Sequence, residues 1–313
     1  MHLMSREKVL LEGRHLTGKR ISIVQRFGAH MSIAGGLHHA FAAGVEVGCD
    51  CLQVFVKNQR QWTAPPLSEE AIRAWTRAAR QTRLSPVVAH DSYLINLASP
   101  DSAARQKSVN AFVDELTRCE ALGIRFLVTH PGAHMGEGEA AGMRRIVTSF
   151  KAIHKSTPGY KVRTLLETTA GQGTALGYRF EHLATILDGV ADGERMDVCF
   201  DTCHVFAAGY DFRRADRYEE MIGEFDRLVG TRRIKCFHMN DSKRELGSRV
   251  DRHENIGKGQ LGLGAFRLLL NEEQFSNVPM LLETPGGEEG YRRDLATLRS
   301  LLNPRLIKKT AKK

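Results

Sequence analysis

The sequence predicts an α/β protein, a single TIM (β/α)₈ barrel, on the evidence of how its apolar segments end and how they are spaced. Six strand-like apolar runs each finish on a histidine or an acidic residue, at intervals of 34 to 45 residues. Each interval has room for a loop, a helix and the next strand, which is typical of a parallel sheet wrapped by helices. The six terminal residues are His90, His130, Glu167, Asp201, His238 and Glu283.

Two earlier apolar runs complete a set of eight predicted strands. Residues 21–29 lead to His30, and residues 52–56 lead to Lys57 and Asn58. The runs are almost continuously apolar, as expected for strands buried on both faces. An open, doubly wound sheet is the structural alternative, but only a few of its strand ends would reach one crevice. Six polar strand ends therefore favour a closed barrel, in which all the carboxyl ends face one mouth.

The segments between the predicted strands carry helix signals. Ser68 precedes two glutamates and predicts the N-cap of a helix. Residues 102–122 place apolar side chains three and four apart and stop at Gly123, a suitable residue for a helix C-terminus. Three further helices are predicted at residues 180–190, 218–229 and 266–274.

Composition limits the class of protein. The chain has 313 residues with 42% hydrophobic content, and no apolar run approaches the length of about 20 residues that a membrane helix needs. We therefore expect no membrane partner. The six cysteines are scattered, several within strand-like runs, which favours reduced and buried thiols in an intracellular protein. Thiolate metal sites at the closely spaced cysteines are a less favoured alternative, since the spacing of structural zinc sites is missing.

The formal net charge of +9 lies entirely in the two ends of the chain. We expect residues 1–26 to form a basic, disordered N-terminal extension, residues 27–304 the catalytic barrel domain, and residues 305–313 a basic tail. The predicted domain is formally neutral, so basic tails alone are weak support for a nucleic-acid partner. We expect a cytoplasmic or nucleoid location. Organellar or nuclear targeting by the extension stays open, although Glu7 and Glu12 weaken it.

The strand-end residues and their neighbours predict a metal centre. His204 is predicted to lie in a loop just past the strand that ends at Asp201, and Asp251 and His253 in a long loop after His238. Together with the six strand ends they make nine ligands, which suits three ions when carboxylates bridge. One isolated histidine is usually structural, but four clustered carboxylates without a cation would destabilise the protein. Zinc fits these donors, and manganese is possible at one site.

Seven sequence blocks in the same order closely resemble the endonuclease IV family of apurinic/apyrimidinic endonucleases. The resemblance runs from about residue 27 to residue 302. The blocks are GAHMSIAGG at 28–36, KNQRQW at 57–62, HDSYLINL at 90–97, ETTAGQG at 167–173, DTCH at 201–204, HMNDSK at 238–243 and GSRVDRH at 247–253. The resemblance implies a TIM barrel with three zinc ions that cleaves damaged double-stranded DNA on the 5′ side of an abasic site and leaves a 3′-hydroxyl.

The resemblance also implies how the ligands are divided. His90 and His130 would hold one ion, bridged through Glu167 to a second ion on Asp201, His238 and Glu283. The third ion would fall to His204, Asp251 and His253. Besides binding metal, Glu283 would orient the attacking water, so that Glu167 and Glu283 are the expected catalytic residues.

Other residues are expected to contact DNA. Arg60, Tyr93 and Leu94 match the family positions that enter the gap left by the extruded nucleotide, and a cation, an aromatic ring and an apolar wedge can replace lost stacking. Asn58 lies beside Arg60 at the end of a predicted strand that finishes on neither a histidine nor an acidic residue. Lys258 stands where the family usually has an acid, so it is expected to touch a phosphate instead.

His30 is expected to contact a metal ligand and not a metal. His2, His15, His38, His39, His154 and His182 are interpreted as surface residues. We expect a monomer. A sugar isomerase with two metal ions and a non-catalytic basic nucleic-acid-binding protein are the alternative functions. An isomerase needs neither the third group of ligands nor the predicted DNA wedge, and the histidines of a binding protein would be structural, so that it would hold no zinc.

Overall fold

The computed structural model describes residues 24–190 and 195–304. Within these ranges eight parallel strands close into a barrel, and two short strands form a separate antiparallel pair. The strands are β1 Arg26–His30, β2 Cys51–Phe55, β3 Val87–His90, β4 Phe126–Thr129, β5 Arg163–Glu167, β6 Met196–Asp201, β7 Ile234–His238, β8 Asp241–Ser242, β9 His253–Glu254 and β10 Pro279–Leu282.

The order of the barrel strands follows the chain, and β10 closes the barrel against β1. Ala29 of β1 lies beside Leu282 of β10 on one side and Leu52 of β2 on the other. The predicted TIM barrel is therefore confirmed. The first strand is shorter than predicted, since it begins at Arg26. Residues 21–23 of that prediction, most of the expected basic extension and the tail lie outside the described residues.

Helices separate the barrel strands. They are α1 His39–Val47, α2 Glu69–Thr82, α3 Ser102–Leu122, α4 Glu139–Ser156, α5 Phe180–Gly189, α6 Thr202–Ala208, α7 Ala215–Leu228, α8 Gly262–Leu270 and α9 Gly287–Ser300. The predicted start of α2 and the predicted end of α3 are confirmed. Ser68 accepts a hydrogen bond from the Ala71 N–H, and Gly123 adopts a left-handed conformation at φ 70°. The helix predicted at 266–274 is wrong in its bounds, since α8 ends at Leu270 and residues 273–275 form a separate 3₁₀ turn.

The apolar core has two layers. One fills the space between the strands and the surrounding helices, with large rings such as Phe41, Phe112, Phe150 and Phe225. The other fills the barrel interior with Cys51, Val88, Val128, Leu165, Cys199, Cys236 and Leu281, all fully buried. This layer of the interior is therefore filled by apolar side chains and leaves no open channel.

Two predictions from composition concern the cysteines and membrane-spanning helices. All six cysteines are free and buried, as predicted. Along the two described ranges, no helix combines the length and the apolarity required to cross a membrane.

Candidate metal centre

The barrel gathers the six polar strand ends at one face. His90, Glu167 and His238 are the last residues of β3, β5 and β7, as Asp201 is of β6. The remaining two residues, His130 and Glu283, directly follow β4 and β10. Parallel strands place all of these carboxyl ends at the same mouth.

Glu167 lies at the centre of this cluster. Its Oε2 is 3.0 Å from His90 Nε2 and 3.3 Å from His130 Nε2, while its Oε1 is 2.8 Å from His238 Nδ1 and 3.3 Å from His204 Nδ1. The side chain is completely buried. One carboxylate therefore faces two separate groups of imidazoles, the geometry that a bridging ligand requires.

Asp201, His238 and Glu283 form a second group around the other oxygen of Glu167. His238 Nδ1 lies 3.2 Å from Glu283 Oε2 and 3.8 Å from Asp201 Oδ2. Asn240 holds both residues, because its Nδ2 donates to the Asp201 carboxylate at 2.7 Å and its Oδ1 accepts from the Glu283 backbone N–H at 2.9 Å. Asn240 was not predicted to support these ligands, although it lies two residues after His238.

His204, Asp251 and His253 form a third group. The two oxygens of Asp251 lie 3.1 Å from His204 Nε2 and 3.4 Å from His253 Nε2. The prediction that these residues lie in loops is wrong for both histidines. His204 is in the first turn of α6, where Asp201 Oδ1 accepts its backbone N–H at 2.8 Å, and His253 begins β9, which pairs with β8.

The donor atoms are close enough to share cations. Within the described residues, donor atoms lie within 4.8 Å of one another in each of these sets: His90, His130 and Glu167; Glu167, Asp201, His238 and Glu283; and Asp201, His204 and His253. Imidazole nitrogens and carboxylate oxygens are donors that zinc accepts, so the residues present fit such ions. Cys199, Cys236 and His238 also come together. Burial raises the pKa of the Cys199 thiol well above its usual value, which disfavours the thiolate that a metal needs.

Charge coupling within the cluster favours cations. Burial opposes ionisation of Glu167, yet the positive charges of His238 and His130 hold its pKa well below the usual value. Burial likewise opposes ionisation of Asp251, but His204 lowers its pKa to about 2. Glu167 and Asp251 are thus ionised at neutral pH and stabilise positive charge at the mouth, whereas burial raises the pKa of Asp201.

His30 occupies the position between a ligand candidate and the barrel wall. Its Nδ1 is 3.3 Å from Glu283 Oε1 and 3.0 Å from the Nε2 of Gln53. The nearest candidate ligand is therefore a carboxylate that His30 could orient.

A cleft of about 720 Å³ opens onto the cluster. Asn58, Arg60 and Tyr93 line it together with His253 and Glu283. The Tyr93 side chain is 66% exposed, and its ring centroid lies 5.9 Å from that of His90. An exposed aromatic ring thus lies directly over the candidate ligands.

Two other predicted DNA contacts lie apart from the lining of this cleft. Leu94 is half-buried beside Tyr93, and Lys258 is exposed in the segment before α8. The loop that carries Arg60 is anchored from below by the buried Lys57, whose Nζ donates to the Trp62 carbonyl at 3.2 Å and contacts Asp114 at 3.1 Å. This buried anchor was not predicted, since a lysine is usually exposed.

The prediction that the other histidines lie at the surface is confirmed only in part. His39 is exposed, and His38 and His154 are half-buried. His182 is buried, with its Nε2 3.2 Å from Glu139 Oε2, so its assignment to the surface is wrong. His2 and His15 lie outside the described residues.

A closed eight-stranded barrel with imidazoles and carboxylates clustered at its strand ends defines a class of TIM-barrel enzyme. The family model described as "Xylose isomerase-like TIM barrel" matches residues 41–301. The probable endonuclease 4 of Chloroflexus aggregans is 54% identical over 279 residues, which cover 88% of this chain and 98% of the relative. The probable endonuclease 4 of Geobacter sulfurreducens is 50% identical, with 90% and 96% covered.

A solved structure supports the same assignment. Endonuclease IV from Thermus thermophilus superposes with a TM-score of 0.77 at 33% identity, covering 88% of this chain and 98% of that one. The chain belongs to the endonuclease IV family and is an enzyme, as predicted from its sequence blocks. A D-tagatose 3-epimerase-like protein, at 17% identity and a TM-score of 0.68, shares the fold alone.

Proposed function

We propose that this chain is a zinc-dependent endodeoxyribonuclease of base excision repair. It hydrolyses the phosphodiester 5′ to an abasic site in damaged double-stranded DNA and leaves a 3′-hydroxyl and a 5′-deoxyribose phosphate. It also cleans blocked 3′ ends as a phosphodiesterase or phosphatase. The observation that carries the proposal is the position of Glu167. One of its carboxylate oxygens faces the first group of donors and the other oxygen faces the second group, and the third group lies beside them. The names of the curated relatives support the same activity.

The nine donors divide among three cations. We assign one ion to His90, His130 and Glu167, a second to Glu167, Asp201, His238 and Glu283, and a third to His204, Asp251 and His253, with manganese an alternative to zinc at one of them. Bound divalent ions activate a water and neutralise charge on the phosphoryl group during hydrolysis. The third group separates this function from a sugar isomerase, which needs two ions.

The residues of the mouth perform the remaining steps. Glu283 Oε2 lies on the inner side of the cleft and orients the attacking water, while Oε1 is held by its neighbours. Tyr93 and Arg60 stack in the gap left by the extruded nucleotide, with Leu94 as an apolar wedge. Asn58 contacts the strand beside them.

The electrostatic attraction for DNA comes from the metal centre and not from the surface charge of the barrel. The chain between its two basic ends is formally neutral, and the charge of three divalent ions exceeds that of four carboxylates. Lys258 adds one cation for a phosphate. We further propose that the enzyme acts as a monomer inside the cell, consistent with its six free cysteines.

The test is an incision assay with a duplex oligonucleotide that carries one abasic analogue. Zinc-loaded protein should nick the strand on the 5′ side of the analogue and produce an end that a polymerase extends. The same duplex without the analogue should stay intact. Absence of incision, together with epimerisation of a ketose by the same preparation, would reject the nuclease in favour of a sugar-converting enzyme.

A further inference from the structure

The middle of β2 carries a polar side chain that none of the roles above uses. Gln53 is completely buried in a strand whose other residues are apolar, and β2 contributes no candidate ligand. A buried amide costs free energy unless it forms hydrogen bonds. The contacts of this amide are therefore informative.

The hydrogen-bond partners of Gln53 define which way its amide faces. Its Nε2 lies 2.6 Å from Glu283 Oε1, and its Oε1 lies 2.8 Å from His238 Nε2. An ionised carboxylate can only accept, so the amide NH₂ faces Glu283 and the amide oxygen faces His238. Because an amide oxygen also only accepts, His238 Nε2 must carry a hydrogen.

With these hydrogen bonds formed, His238 and Glu283 each direct their remaining donor atom at the same point. His238 Nδ1 is 2.8 Å from Glu167 Oε1 and 3.2 Å from Glu283 Oε2. On Glu283, Oε1 accepts a hydrogen bond from the Gln53 amide, which leaves Oε2 on the inner side. A histidine that binds metal normally donates its other ring N–H to a partner, which sets its tautomer and orientation.

We propose that Gln53 is a positioning residue that directs His238 Nδ1 and Glu283 Oε2 towards the same cation. This role rests on the proposed metal centre. It explains how a strand without a ligand contributes to the centre, through one amide that orients ligands from β7 and from the end of β10.

The test replaces Gln53 by methionine, which keeps the length of the side chain and removes both hydrogen bonds. Zinc affinity should fall about 10- to 100-fold, the usual cost of losing such a partner, and zinc release to a chromophoric chelator should be faster. In the cobalt-substituted protein the visible ligand-field spectrum should also change. The matched control is Gln25→Met, since Gln25 is half-buried and donates to the Leu270 carbonyl at 2.8 Å, outside the cluster; its release rate and spectrum should equal those of the wild type.

A second variant guards against simple misfolding. Gln53→Glu keeps an oxygen towards His238 but places another oxygen against Glu283 Oε1. Zinc release should again be faster, while long-range ¹H–¹⁵N spectra still show the hydrogen on His238 Nε2.

The outcomes separate the two proposals. Zinc release and cobalt spectra of Gln53→Met equal to those of the wild type would overturn the role of Gln53, whatever its melting temperature. A wild-type spectrum with the hydrogen on His238 Nδ1 would do the same. Wild-type protein that retains no metal would overturn the metal centre itself, and the role of Gln53 with it.

Discussion

The candidate site depends most on one carboxylate. Glu167 contacts imidazoles that belong to three different donor groups, and it does so from the end of a strand buried in the barrel. A shared ligand of this kind sets the separation of two cations. Its loss should therefore affect both of them, whereas loss of a terminal ligand should affect one.

We expect Glu167→Gln to lose most incision activity and part of its bound zinc. The amide has one acceptor oxygen and no charge, so it cannot bridge two cations. Loss of several kcal/mol of transition-state stabilisation corresponds to a decrease in kcat of at least about a hundredfold. Single-turnover incision and zinc per chain are the measurements. The control is Glu69→Gln on α2, where the carboxylate is exposed and pairs with Arg73. Wild-type cleavage by Glu167→Gln would contradict the bridging role.

At the scale of elements, the pair β8–β9 carries His253 of the third donor group, and the segment that follows it leads to α8. The buried carboxylate of Asp241 accepts backbone N–H groups from Gly257 at 2.9 Å, Gly259 at 3.1 Å and Leu261 at 2.9 Å. These hydrogen bonds hold the chain that leads from His253 to α8. The segment can approach Asp241 so closely because a glycine stands at the contact.

Two glycine substitutions should have opposite effects on stability. A Cβ at Gly259 would collide with the Ser242 carbonyl oxygen and lie 2.5 Å from Asp241 Oδ1, so we expect Gly259→Ala to cost about 1–3 kcal/mol. A Cβ at Gly223 in α7 meets no atom within 4 Å, and Gly223→Ala should stabilise the helix by about 0.5–1 kcal/mol. Melting temperatures of the two variants test this. Equal stability of Gly259→Ala and the wild type would show that the segment is free to move.

At the scale of the whole molecule, closure of the barrel brings together side chains that are far apart in the chain. Ionised carboxylates and imidazoles are then packed at one mouth above a solid apolar interior. Such a centre couples folding to cation binding, because the unfolded chain cannot present the same set of donors.

Removal of the cations should therefore lower thermal stability. A ligand present at a thousand times its Kd contributes about 4 kcal/mol, which is equivalent to a drop of several degrees in Tm when it is removed. Calorimetry before and after treatment with a chelator measures the difference, and added zinc should restore the original Tm. Glu167→Gln should show a smaller shift. A Tm that does not respond to the chelator would argue against a metal centre coupled to folding.

The basic tail should influence DNA binding and not catalysis. Residues 305–313 carry five positive charges and no acid. Their deletion should leave single-turnover incision unchanged. The slope of the logarithm of the DNA-binding constant against the logarithm of the salt concentration should also become less steep, by about 0.9 for each phosphate that is no longer neutralised. Titrations at several salt concentrations would test this. A slower incision rate at saturating protein would place the tail in the site instead.

Local patterns in the sequence determined the barrel, the positions of its strand ends and several helix ends. Continuous apolar runs, the serine before α2 and the glycine after α3 act through neighbouring residues, so their effects can be read along the chain. The bounds of α8 were harder to predict from the sequence, because its local end signals are weak and packing then determines where the helix begins and ends.

Only the tertiary structure decided which polar groups support the candidate ligands. Gln53 and His238 are separated by 185 residues, yet they share a hydrogen bond. The same holds for Asn240, which joins ligands from two strands, and for His182, which is buried against α4. No local pattern marks such residues, since their environment exists only after the strands have closed. The sequence thus determined where candidate metal donors would be gathered, and the fold decided which of their atoms face one another.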